Sequence, residues 1–214
     1  MSIATSMAAV TEADDPRITP ELSVDALLRL ANVVRFRIYL ALRAFGELRA
    51  RQLADLTGVT ETSMNKHLDV MREIGFVHVK QTGKTRQSWL WSAVPGGVRV
   101  GRIEGGEIQE AALEWLRAVS GGYGIIASQW PSVAASWPQN WQSAAETSDW
   151  VMHLTAQQLD AMAADLRGVA AKWKQASAAN EAAWADQEAG PNDVDWIAPV
   201  VVILTAIPYP RQPQ

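Results

Sequence analysis

The stretch VTETSMNKHLDVMREIGFVHV, residues 59–79, sets one strict apolar stripe in a crowd of short polar side chains. Met64, Leu68 and Met71 recur at +4 and +3, the spacing of a single face of an α-helix. Val59, Ile74 and Phe76 extend the apolar set on either side. Thr60 is the expected N-cap, Glu61 complements the positive end of the helix dipole, and Gly75 ends the helix. Thr60, Thr62, Ser63, Asn65 and Lys66 fill the other faces of the opening turns. Such short donors and acceptors suit a helix that buries one stripe in its own domain and offers the rest to base edges in a DNA major groove. A polar cap on an ordinary surface helix would also look like this.

The flanking sequence resolves part of that choice. Upstream, Ser23 is the expected cap of one long helix. Its apolar positions run from Leu27, Leu28, Leu30, Ala31 and Val34 through Phe36, Ile38, Tyr39, Leu42 and Phe45 to a stop at Gly46. A short helix follows over residues 50–57, with Leu53, Ala54 and Leu56 turned inward and Gly58 at its end. Downstream, residues 76–80 and 87–94 are rich in strand formers, and TGK between them supplies a turn. That hairpin carries a basic tip in Lys80, Lys84 and Arg86.

Two helices joined by a tight glycine turn and followed by a basic hairpin describe a winged helix-turn-helix. Ala54 is small where the helices would cross, Gly58 sits at the turn, and Met64 is apolar where the second helix must be. In this arrangement Asn65 would read an adenine edge and Lys66 would meet phosphate. Arg49, Arg51 and Gln52, near the start of the preceding helix, would hold the DNA backbone and set register. Lys84, Thr85 and Arg86 would place the wing on a phosphate or in the minor groove. Lys84 and Arg86 also fit as solvated wing charges, and His67 as a cover for the core edge.

The segment RQLADLTGVTETSMNKHLDVMREIGFVHVKQTGKTRQSWLW resembles the ArsR-type winged-helix transcriptional regulators. NKHLDVMREIGFV is similar to that family's S/R-H-L-x-x-L-x-x-x-G-L-V segment, and QLADLTGVT to its preceding helix and turn. The resemblance spans about residues 27–91. It implies a homodimer that binds an imperfect palindrome in double-stranded DNA, often as a repressor. The metal-sensing branch uses cysteines or clustered histidines and carboxylates. This chain has no cysteine, and His67, His78 and His153 are scattered, so neither a metal nor any other cofactor is expected. The part after Arg102 resembles the long-tailed members, with a strand, a helix opening in LTAQQL and a final strand ending in prolines.

Charge divides the chain in the same way. Residues 29–102 hold thirteen lysines and arginines against five acidic residues, a net +8; the rest holds six against eighteen, a net −12, for −4 overall. Only the first half is suited to a polyanion. The expected organisation is a flexible tail over 1–22, a DNA-binding domain over 23–102 and an acidic, tryptophan-rich dimerisation or effector domain over 103–214. The fold class expected is mainly α with small β: the winged helix, then a C-terminal α+β region of strand–helix–strand and further helices.

In the second half, residues 107–119 read as a helix with Ile108, Ala111, Ala112, Trp115 and Val119 on its apolar face. Pro131 and Pro138 break the stretch that follows. Thr155 and Gln158 fit a capping box, and Leu159, Met162, Leu166, Val169 and Trp173 then form a heptad-like seam. Residues 149–154 and 196–208 are strand-like, and 199–207 reads as a buried strand. Eight of the ten tryptophans lie beyond Arg102. They suit a core and dimer interface, or an apolar cavity for a small apolar or aromatic effector lined by Trp115, Tyr123, Trp130, Trp137 and Trp141.

Other classes fit less well. No glycine-rich phosphate loop, G-x-S-x-G or H-E-x-x-H motif occurs, so an enzyme is not expected. Glu104, Glu107, Glu110 and Glu114 read as a solvated helix face. No apolar run reaches a membrane-spanning length, no signal peptide is read at the start, and a cytoplasmic location is expected. The competing class is a winged-helix protein-interaction module without direct DNA readout.

Overall fold

The computed structural model describes residues 23–94, 106–185, 187, 190, 191, 193 and 195–208. The expected N-terminal tail, the expected boundary at Arg102 and Glu104 lie outside them. The chain is mainly helical with one small antiparallel sheet. It divides into two compact units after Gly124.

The first unit opens with two helices where the sequence reads as one. α1 spans Val24–Leu30 and α2 spans Val33–Phe45. Asn32 sits between them in extended conformation, and its Oδ1 accepts from the N–H groups of Val34 and Arg35 at 3.0 and 3.2 Å. The apolar period runs straight across this break, so periodicity hides it. The cap shows why it forms: Asn satisfies two amides that would otherwise be orphaned at a helix start.

α3 spans Ala50–Thr57 and α4 spans Glu61–Glu73. Between them Gly58 takes the left-handed conformation, φ 72°, and its N–H bonds back to Ala54. That is the chain reversal a glycine makes at little steric cost. Thr60 caps α4, its Oγ1 accepting from the Ser63 N–H at 3.2 Å. Leu56 points outward, against expectation, and Thr57 takes the buried place instead. Its hydroxyl donates to the Leu53 carbonyl at 2.7 Å, so burial leaves it satisfied.

The sheet has the order β1 (Leu48–Arg49), β3 (Leu90–Ala93), β2 (Val77–Lys80). β2 and β3 pair antiparallel as expected, with Val79 opposite Trp91. The two-residue strand β1 adds to the other edge, Leu48 opposite Trp91. Met64, Leu68, Met71, Ile38, Leu53 and Trp91 are all fully buried in one core. The three-residue stripe of α4 is therefore the face that fixes its roll against the rest of the unit.

α5 spans Glu107–Val133 and contains Pro131, so the helix runs on through the glycines and past the expected break. Within the first unit its Trp115 and Tyr123 meet Phe36 edge-on, at centroid distances of 5.6 and 5.0 Å. Gly122 lies directly against that ring: a Cβ there would come within 2.4 Å of a Phe36 carbon. Its glycine is a packing requirement.

In the second unit, α6 spans Gln139–Ala144 and α7 spans Ala156–Ala185. The Thr155–Gln158 capping box forms in both directions, at 2.9 and 3.2 Å. The α7 seam departs from expectation: Leu159, Met162 and Leu166 are half-buried, but Val169 and Trp173 face solvent. Residues 150–154 and 199–207 form no strand, and the second is not buried.

Candidate nucleic-acid interface

The geometry of α4 follows from its buried stripe. With Met64, Leu68 and Met71 inward, the 100° step of the helix turns Thr62, Lys66, Asp69 and Glu73 directly outward. Asn65 falls on the flank next to the hairpin. Thr60, Thr62 and Lys66 are exposed, and Ser63 and Asn65 are half-buried.

Asn65 is held at both ends. Its Nδ2 donates to the Glu61 carbonyl at 3.0 Å, and its Oδ1 accepts from Arg86 Nε at 2.9 Å. Each end of an amide has one further site, a second hydrogen on nitrogen and a second lone pair on oxygen. The Arg86 guanidinium also reaches the Asn65 carbonyl at 3.3 Å and Asp69 Oδ1 at 2.7 Å. It lies over the rings of Trp89 and Trp91, 5.6 and 5.7 Å from their centroids. Arg86, expected as a wing contact, is thus a clamp between hairpin and helix. The sequence places Asn65 and Asp69 four apart on one helix edge, but it does not say which residue spans them.

The acidic residues on the outward face of α4 are neutralised. Glu73 pairs with Arg29. Asp69 pairs with Arg86 and, more distantly, with Arg72 at 3.7 Å. Other cations are engaged elsewhere. Arg37 donates to the Thr57 and Leu56 carbonyls at 2.8 and 3.3 Å, tying α2 to the end of α3. Lys80 approaches Glu47 at 3.9 Å. Arg37 was not legible as a turn-holding residue, because its partners lie twenty residues away on another helix.

Four cations of the first unit differ from these, as do Arg167 and Lys174 of α7 in the second. Among the described residues, Arg49, Arg51, Lys66 and Lys84 are exposed and make no ion pair within 4.0 Å. Arg49 is the N-cap of α3 and Arg51 stands in its first turn. Gln52, expected as a backbone contact, has its Oε1 accepting from the Arg49 N–H at 2.9 Å, which leaves its amide hydrogens available. Thr85 is exposed beside Lys84 at the tip of the hairpin. His67 is half-buried; burial first, and then the nearby Arg35 cation, hold its imidazole below the usual histidine pKa.

The residues expected around an effector fall in two groups. Trp115 and Tyr123 belong to the first unit and pack on Phe36. Trp130, Trp137 and Trp141 belong to the second, where Trp137 and Trp141 each meet Trp196 at 5.4 Å. Trp196 was not expected in that group. A separate hollow of about 330 Å³ lies beside Asn32, Val34, Glu114 and Arg117, and none of the five lines it. Among the described residues no three His, Asp or Glu side chains are placed to share a metal ion, and no helix is long and apolar enough to cross a membrane. Compared with protein-family models and with curated proteins, the chain matches none.

Proposed function

We propose that the chain is a sequence-specific DNA-binding regulator of the winged helix-turn-helix type, similar to the ArsR-type regulators, which acts as a homodimeric repressor on a pseudo-palindromic operator. α4 enters the major groove by its first two turns. Thr62, Ser63 and Asn65 address base edges, while Lys66 and the hairpin's Lys84 and Thr85 meet the backbone. Arg49, Arg51 and Gln52 hold the flanking phosphates from the start of α3, where the helix dipole adds to their charge. Arg86 orients Asn65, leaving one donor and one acceptor on that amide for an adenine edge.

The observation that carries this reading is the sorting of charge. The carboxylates on the outward face of α4 are each covered by an arginine, and within the first unit the described cations left without partners lie in the three segments that would touch DNA. An interaction module without DNA readout has one observation in its favour, the mutual engagement of Asn65 and Arg86. It gives no reason for the unpaired cations.

Fluorescence anisotropy of the full chain on labelled duplex DNA separates the two. Affinity should fall steeply between about 50 and 200 mM salt, as condensed counterions are released. Absence of binding at the lower salt would leave the interaction module.

A further inference from the structure

The second unit leaves two apolar segments uncovered. In residues 150–154, Trp150 is 78% and Val151 82% exposed, with Met152 and Leu154 also open. In residues 199–207, Val200, Val202 and Ile207 are each 67% exposed. Among the described residues, no backbone N–H or C=O of 150–154 or 198–207 makes a hydrogen bond. Unpaired backbone carrying exposed apolar side chains can serve as a template for strand addition once it is extended.

We propose that these two segments pair, as strands, with the same segments of a second copy of this chain. This deepens the dimeric reading above and rests on it for the purpose of the dimer.

The composition of 199–207 names the kind of cover it needs. VVVIL is apolar at every position, so both faces of an extended strand would be greasy, the pattern of a strand inside a sheet covered on both sides. One chain offers two such segments here, and an isolated two-stranded ribbon is marginal in water. A second copy raises the number to four and gives each segment a neighbour. The open side chains of the two segments amount to roughly 1,000 Å² per chain, above the ~800 Å² that each partner brings to a standard stable interface. A lone soluble chain rarely keeps a patch beyond about 300–600 Å².

Charge selects the occupant. Residues 125–214 hold nine acidic and four basic side chains, yet no Asp, Glu, Lys or Arg occurs in 150–159 or 196–208. Two acidic copies can meet along charge-free strips without bringing like charges together. A basic partner would find nothing to pair with there.

The test is sedimentation velocity on the full chain without DNA, at about 1–50 µM, a range suited to a micromolar or tighter dimer, combined with amide hydrogen exchange. The wild type should be a dimer with slow exchange in both segments. Val200→Lys with Val202→Lys should raise the dissociation constant at least ~100-fold and speed that exchange. Both side chains are exposed in the single chain, so the helical signal of the variant in far-UV circular dichroism should be unchanged, with only strand signal lost. Three results would overturn the proposal. A monomer with slow exchange would assign the strips to pairing within one chain. A monomer with fast exchange would assign them to a foreign partner. A dimer indifferent to the double variant would place the interface elsewhere. No DNA is present, so a monomer that still selects a DNA motif ends this proposal alone, and a dimer that selects none ends the DNA reading alone.

Discussion

Arg86 and Lys84 are neighbours on the same hairpin, yet their removal should have different effects. If the proposed dimer binds DNA, counting Arg49, Arg51, Lys66 and Lys84 as one phosphate contact each gives about eight contacts. At ~0.9 per contact the plot of log K against log salt should have a slope near −7, or about a 10⁴-fold loss between 50 and 200 mM. Lys84→Ala removes one contact per chain and should flatten the slope by about 1.8 without changing the melting temperature. Arg86→Ala should leave the slope unaltered, because Asp69 already neutralises that charge at 2.7 Å. Its cost falls on stability and base preference. The ion pair is about one-third exposed on each side, so solvent limits it to about 1 kcal/mol. The hydrogen bonds to Asn65 and the contact with Trp89 and Trp91 add about 1 kcal/mol more. A loss near 2 kcal/mol corresponds to a Tm lower by about 4–8 °C. Anisotropy across a salt series and differential scanning calorimetry read both quantities. If Arg86→Ala flattened the slope as much as Lys84→Ala and kept the wild-type Tm, the clamp would be wrong and Arg86 would be a phosphate contact.

Other consequences are sharper on stability. Gly122→Ala should destabilise the docking of α5 by about 1–3 kcal/mol, since its methyl would strike Phe36. Gly124→Ala, with nothing within 4 Å of its Cβ, should stabilise the helix by up to ~1 kcal/mol; thermal melts of the pair distinguish packing from propensity. Asn32→Ala should cost about 1 kcal/mol through the lost cap, and a melt no lower than wild type would deny the break between α1 and α2. His67 has a folded pKa below its unfolded value, so the unfolded chain binds the proton more readily. Stability should be full above the ordinary histidine pKa of about 6.5 and be lost as pH falls from there through the depressed value. His67→Gln should remove that part of the acid sensitivity, and an unchanged profile of Tm against pH would show that it arises elsewhere.

The elements legible in the sequence are those whose causes are local. α3 and α4 declare themselves through Gly58, Thr60 and the Met64–Leu68–Met71 stripe, all within a few residues of one another. The hairpin declares itself through its alternating strand formers. What escaped depends on distant partners. β1 is two residues long and exists because Trp91 offers it an edge. Gly122 offers no side chain to mark a packed face, yet Phe36, far upstream, needs the room that it leaves. The clamp joins Asn65 to a residue 21 positions away, and no spacing rule reaches that far. The strand-like texture of 199–207 was readable, whereas its exposure was not, because apolar sequence does not say which chain supplies the cover.

The proposed DNA-reading face of α4 is tested most directly by selecting bound fragments from random duplex DNA with the full chain at about 150 mM salt, where specific and non-specific binding separate. An enriched motif with two half-sites about 10 base pairs apart is expected. Asn65→Ala should lose preference at one base per half-site, worth about 1–3 kcal/mol. No enriched motif, or a motif unchanged by Asn65→Ala and by Thr62→Ala, would refute the DNA-reading role of α4.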